Sequence, residues 1–116
     1  LAALEEGEDA VRGPQETCPG CRINFAVPAA IAAARAGRVD LARQWAGACE
    51  WLAKVVMKLP AWDAGLDEVR GHVALAEGDA AAARARFAAA AEVFRRAGHP
   101  LDAARCDRLS GGDPTA

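Results

Sequence analysis

Three features of the sequence predict an all-α fold. Alanine, the strongest helix former, supplies 31 of the 116 residues. Strand formers are sparse: tyrosine is absent and threonine occurs only as Thr17 and Thr115. Apolar residues recur at spacings of three and four through successive stretches that end at Gly or Pro. Alanine also makes up about half of the 53% hydrophobic fraction, and aromatics only 5% of the chain. The core should therefore be thin, with helices packed closely across small side chains.

Residues 1–17 are acidic and broken by Gly7, Gly13 and Pro14, which predicts a frayed helix end and a linker. The helical domain is expected over 18–109. Its first helix ends at Gly37 and carries Phe25, Val27, Ile31 and Ala34. Pro28 either opens this helix late or kinks one that began at Pro19. The second helix, about 39–58, has the stripe Leu41, Trp45, Ala48, Leu52 and Val56, and Pro60 ends it. The third, about 61–77, places Trp62, Leu66, Val69, Val73 and Ala76 on one face. Gly78 stops it, and Asp79 is a good N-cap for the next. The fourth, about 80–97, has the stripe Ala83, Phe87, Ala90, Phe94 and Ala97 and closes at Gly98. Pro100 opens a short fifth helix, about 100–109, and residues 110–116 are expected to be a disordered tail.

The turns that begin at Gly37 and Gly78 are 41 residues apart, and the same shift pairs Ala46 with Phe87, Cys49 with Ala90 and Leu52 with Val93. A period of this size predicts two stacked helical hairpins followed by a terminal helix.

The segment 71–90 resembles a tetratricopeptide repeat: Gly71, Gly78, Asp79, Ala83, Phe87 and Ala90 fall where that motif places its small and large residues. Asp67, Arg70 and Ala74 depart from it, occupying its early aromatic, leucine and later tyrosine positions. The resemblance implies a tetratricopeptide-like α-α superhelix in which Gly71 and Ala83 let antiparallel helices touch while Phe87 fills the space to the next hairpin. A narrower resemblance covers about 18–106 and includes the phrase Gly98-His99-Pro100-Leu101-Asp102-Ala103-Ala104-Arg105-Cys106. It is to the C-terminal helical-repeat region of large actinobacterial regulators. Those proteins couple a signal-transduction ATPase to a LuxR-type DNA-binding domain or an adenylate cyclase domain. The ATPase, cyclase and DNA-binding parts have no counterpart here.

The tetratricopeptide resemblance also implies a groove lined by the first helix of each hairpin. Its positions fall on Asn24, Val27, Ile31 and Arg35 in the first copy and on Glu68, His72 and Leu75 in the second. Such a groove would receive a peptide or helix from a partner, or another domain of the parent protein. The plainer alternative is that Glu68 and His72, four residues apart, form a solvated pair.

Cys18-Pro-Gly-Cys21 is the sharpest chemical feature, since two thiols at this spacing can share a metal or form a redox pair. A zinc site needs about four ligands, and the other candidates, Cys49, Cys106, His72 and His99, lack close partner spacing. Structural thiols, zinc at Cys18 and Cys21, and a redox switch are the three readings of this motif. Cys49 and Cys106 read as buried small hydrophobes. Trp45, Trp51 and Trp62 read as inter-helix packing, and Arg84, Arg86, Arg95 and Arg96 as a solvated face with ion pairs to Glu92.

No catalytic set emerges. The one serine is Ser110, and the two histidines lack metalloprotease spacing. Net charge is −2, unlike the basic balance of a nucleic-acid binder, and no apolar run reaches bilayer length. No secretory signal is visible. The sequence therefore predicts a soluble, cytoplasmic, non-enzymatic module, read as a segment of a larger transcriptional or signalling regulator. It would make protein–protein or intramolecular contacts without a cofactor and without binding nucleic acid or membrane. Apolar residues exposed at the repeat ends would also favour homo-oligomers. The competing function is a metal- or redox-responsive switch centred on Cys18 and Cys21.

Overall fold

Three of the helices end at the glycines that the sequence places as stops, Gly37, Gly78 and Gly98. The computed structural model describes Ala3 and residues 19–113, and over that range the chain is all-α. The helices are α1 (Pro19–Arg35), α2 (Val39–Trp51), α3 (Pro60–Ala76), α4 (Ala80–Arg96) and α5 (Pro100–Ser110). Apart from Ala3, the linker expected over 1–17 lies outside the described residues, as do Cys18 and residues 114–116. Pro28 lies inside α1 on its exposed side, so the helix that begins at Pro19 runs through it.

Four helices end in the same left-handed turn. Gly37, Gly78, Gly98 and Gly112 have φ of 77°, 85°, 83° and 86°. A residue with a Cβ strains in this region, whereas glycine does not. The following N–H then bonds back across the turn: Arg38 to the Ala33 carbonyl, Asp79 to Ala74, His99 to Phe94 and Asp113 to Arg108. These bonds satisfy carbonyls that a helix end leaves open. The last of them keeps Ser110–Asp113, expected in the tail, as the ordered end of α5. Asp79 caps α4 as its sequence position predicts, its Oδ1 accepting from the Ala82 N–H at 3.0 Å.

α2 ends differently. It widens into a π-helical stretch, Leu52–Met57, closed by Lys58 in the left-handed region (φ 51°), whose N–H bonds to the Ala53 carbonyl. The expected stripe continues through this stretch, with Leu52 and Ala53 buried and Val56 partly so. Pro60 then starts α3, where its missing N–H costs no helical bond.

Short turns make successive helices antiparallel, so α1, α3 and α5 run one way and α2 and α4 the other. α3 is central and buried on two sides. Leu66, Val69 and Val73 join a core with Ile23, Ala26, Ala30 and Ala33 of α1 and Ala42, Trp45, Cys49 and Leu52 of α2. Phe25 meets Trp45 edge-on there, ring centroids 5.2 Å apart. On the other side, Ala64 packs with Ala90, Ala91 and Phe94 of α4 and Ala103 and Cys106 of α5. Ala83, Phe87 and Leu109 complete the packing of α4 on α5. The stripes expected on α3 and α4 are largely the buried ones, Ala97 alone of the α4 stripe being exposed; of the α2 stripe Trp45 and Leu52 are buried and Leu41, Ala48 and Val56 partly so. α1 buries its small side chains more deeply than Phe25, Val27 and Ile31, which are half-buried.

Close approach of α3 and α4 rests on Gly71. A Cβ at that position would lie 2.5 Å from Phe87 Cε1 and 2.7 Å from Cδ1. Phe87 is fully buried and cannot swing away. Gly71→Ala should therefore cost about 1–3 kcal/mol through overpacking. Gly47, also mid-helix, has open space around its Cβ position. Gly47→Ala should instead add up to about 1 kcal/mol of helix propensity. Urea melts of both variants check the pair, and equal shifts of the same sign would contradict this packing.

Candidate functional site

The three parallel helices α1, α3 and α5 share one face, and two recesses open between them. The larger, about 440 Å³, is lined by Arg35 of α1, His72 and Leu75 of α3, Arg84 and Phe87 of α4 and Leu109 of α5. The smaller, about 250 Å³, is lined by Val27 of α1, Trp62 and Glu68 of α3, Phe94 of α4 and His99 and Arg105 flanking the other side. The expected groove residues are thus divided. Arg35, His72 and Leu75 come together in one recess, while Glu68 belongs to the other with Val27.

Glu68 lines its recess while almost wholly buried. It is 3% exposed and accepts two hydrogen bonds from Arg105, from Nε at 2.7 Å and Nη2 at 2.8 Å. Arg105 Nη1 donates to Asp102 at 2.7 Å. A carboxylate between two packed sides of α3 needs such a fork, because an unpaired buried charge is costly. Hydrogen bonding to Glu68 raises the already high pKa of Arg105, and Asp102 adds to it, against the opposing effect of burial. The solvated Glu68–His72 pair of the alternative reading does not form either, since both side chains are buried. Sequence reasoning missed Arg105 as the partner. The available signal was the position of Glu68 one turn before His72 and between Leu66 and Val69, where a carboxylate demands a cation.

His72 is 5% exposed, and its ring meets Phe87 edge-on with centroids 5.0 Å apart. Burial lowers its pKa below 6.5. Glu68 works the other way, and the Arg35 and Arg105 guanidiniums push it further down. The imidazole is therefore neutral at neutral pH, with one N–H to donate and one lone pair to accept.

Two of the remaining candidates, Cys49 and Cys106, resolve into packing. Both are fully buried, in different cores, and burial pushes each thiol up to about 12. Neither is a thiolate nucleophile near neutral pH. Among the described residues, no group of three or more His, Cys, Asp or Glu could hold a metal ion. Cys18 and the side chain of Cys21 lie outside the described residues. Trp45 and Trp62 pack between helices, whereas Trp51 is 54% exposed.

The arginines of α4 do more than meet Glu92. Arg86 pairs with Asp67 of α3 at 3.1 Å and Arg95 with Asp107 of α5 at 2.7 Å, so they tie neighbouring helices. A third hollow, about 490 Å³, lies on the other side of the stack, lined by Arg43, Glu50, Arg70, Glu77 and Arg86. Its charges are matched by Arg43–Glu77 at 2.8 Å and Arg70–Glu50 at 2.6 Å. Exposed pairs of this kind set register more than they stabilise. No helix among the described residues is long and apolar enough to cross a membrane.

Removing one partner of the Glu68–Arg105 pair should cost more than removing both. Arg105→Ala strands the buried carboxylate at about 2–4 kcal/mol, below the figure for a wholly buried pair because Arg105 is half-exposed. Glu68→Leu combined with Arg105→Leu should recover most of this loss. A double-mutant cycle by denaturant melting checks it, and strict additivity would show that the pair is not coupled.

The His72 shift fixes a sign for pH dependence. The unfolded imidazole takes up its proton near 6.5, but the folded one resists until lower pH. The histidine's contribution is intact above 6.5 and is lost as pH falls from there through the folded pKa. Urea midpoints measured between about pH 7.5 and 5.5 should fall with acidity, and His72→Gln should flatten that slope.

Comparison of the chain with protein-family models, with curated proteins and with solved structures gave no match.

Proposed function

We propose that the chain is a non-catalytic helical-repeat module of the tetratricopeptide-like kind, mediating protein–protein or intramolecular regulatory contacts within a larger cytoplasmic signalling or transcriptional regulator. The observation that carries this reading is the shared face of α1, α3 and α5, three parallel helices with two recesses between them. Stacked hairpins that leave such a face are suited to recognising a peptide or helix by shape, with alternate side chains seated in the recesses. The Glu68–Arg105 bridge stands between the two recesses and would hold their spacing fixed.

Both ends of the stack support continuation by a neighbouring repeat or a second copy. On the first hairpin Trp51 and Val55, one turn apart, are 54% and 56% exposed. On α5 Leu101 is 84% exposed. Large apolar side chains left open at repeat ends are what adjoining repeats normally cover.

A displayed random-peptide library panned on the purified chain tests the reading. Peptides should bind saturably. Leu75→Glu, on the shared face, should weaken them about tenfold or more. Leu101→Glu, at the stack end, should leave them unchanged. Absence of saturable binders, or binders indifferent to Leu75→Glu, would remove the assignment of the α1–α3–α5 face.

A further inference from the structure

We propose that two copies of the chain pair through the outer face of α2, antiparallel across a two-fold axis, with Trp51 of each lodged at Gly47 of the other. On that face Asp40, Gln44, Gly47, Trp51 and Val55 follow one another at spacings of four and three, and all are exposed.

The second hairpin supplies an internal control. The shift of 41 residues aligns α2 with α4, and the fold keeps that register. Ala42, Ala46, Cys49 and Ala53 are buried, as are their equivalents Ala83, Phe87, Ala90 and Phe94. The outer face of α4 then reads Ala81, Ala85, Ala88, Glu92 and Arg96, all exposed. Alanines followed by an ion pair, Arg96 to Glu92 at 3.8 Å, suit a helix face left in water. Where α4 has Ala88, Glu92 and Arg96, α2 has Gly47, Trp51 and Val55. Exposure to water does not favour that exchange, whereas a covering surface does.

Gly47 is an independent observation. Glycine is a poorer helix residue than alanine, and nothing inside this chain requires it here. Its φ is not positive, and no atom lies within 4 Å of its Cβ position. Its use is external: it leaves a notch, one turn before the Trp51 knob, where another molecule can approach the backbone.

The stack itself separates an adjoining repeat from a second copy as the occupant. α2 and α4 are equivalent helices of adjoining hairpins, yet α3 lies between them and they form no packed interface. A further hairpin before α1 would stand to α2 as α2 stands to α4, and would leave this face open. A second copy fits it. Notch and knob share one face, so a two-fold axis that sets Trp51 against Gly47 makes the reciprocal contact as well. The same register brings Lys58 of each chain to Asp40 of the other. Lys58 is exposed and makes no ion pair with any described residue. Among the described residues Asp40 reaches only Arg43, at 4.0 Å.

Sedimentation equilibrium of the full chain tests this. One crossed helix pair is a small interface, so dimers should form between about 10 μM and about 1 mM chain. Trp51→Gln and Gly47→Ala should each weaken pairing about tenfold or more. Gly47→Ala should at the same time raise the urea midpoint of the dilute chain, so its lost pairing is not lost folding. Asp40→Lys should weaken pairing, and adding Lys58→Asp should restore it. Leu75→Glu, on the shared face of α1, α3 and α5, should pair as the parent does. A monomer throughout that range would overturn the proposal, as would parent affinity in Trp51→Gln or Gly47→Ala. So would a charge exchange that fails to restore pairing, or loss of pairing in Leu75→Glu.

Discussion

Where α3 meets α4, the ring of Phe87 fills the space that a side chain at position 71 would need. That contact sets how closely the two central helices approach, and other features follow from the spacing. Ala64 can reach Ala90 and Ala91 only because the helices lie this near. Phe87 then extends to Leu109, so the same ring also packs the second hairpin against the terminal helix, beside the contacts of Ala90, Ala91 and Phe94 with Ala103 and Cys106. It also forms the wall against which His72 is held. An alanine-rich core has little large apolar surface to bury, so it depends on fit at a few bulky residues more than on total area.

α3 carries a second constraint. A helix buried on two sides has few places for a charged residue, yet Glu68 lies in it. The chain resolves this by reaching from α5 with Arg105, whose two donated hydrogen bonds occupy both carboxylate oxygens. The pair is a directional tie between helices that otherwise touch mainly through α4. It specifies the position of α5 relative to α3, which apolar packing of small side chains alone defines loosely. The same tie stands between the two recesses on the shared face, so a packing requirement also shapes the candidate site.

His72 shows how a residue of the stack takes on a chemical character that its local sequence does not announce. Four residues from an acid on a helix, an imidazole would ordinarily be solvated and partly protonated. Burial against Phe87, with Arg35 and Arg105 near, makes it a neutral group at the wall of a largely apolar recess. The thiols of Cys49 and Cys106 go the same way, towards inertness, because nothing around them stabilises a thiolate enough to offset burial.

The sequence by itself determined the helices, because their signals are local. Gly37, Gly78 and Gly98 mark turns that need a left-handed residue, Asp79 caps the next helix, and the spacing of Leu66, Val69 and Val73 reports one buried face. Alanine's bias towards helix made the class legible from composition. The tertiary structure alone decided the pairings that cross between helices. Arg105 lies far from Glu68 in the chain, and nothing near either residue encodes their meeting. The separation of Glu68 from Arg35, His72 and Leu75 belongs with it. It depends on which neighbour lies alongside, and that is fixed by how closely small side chains let the helices pack.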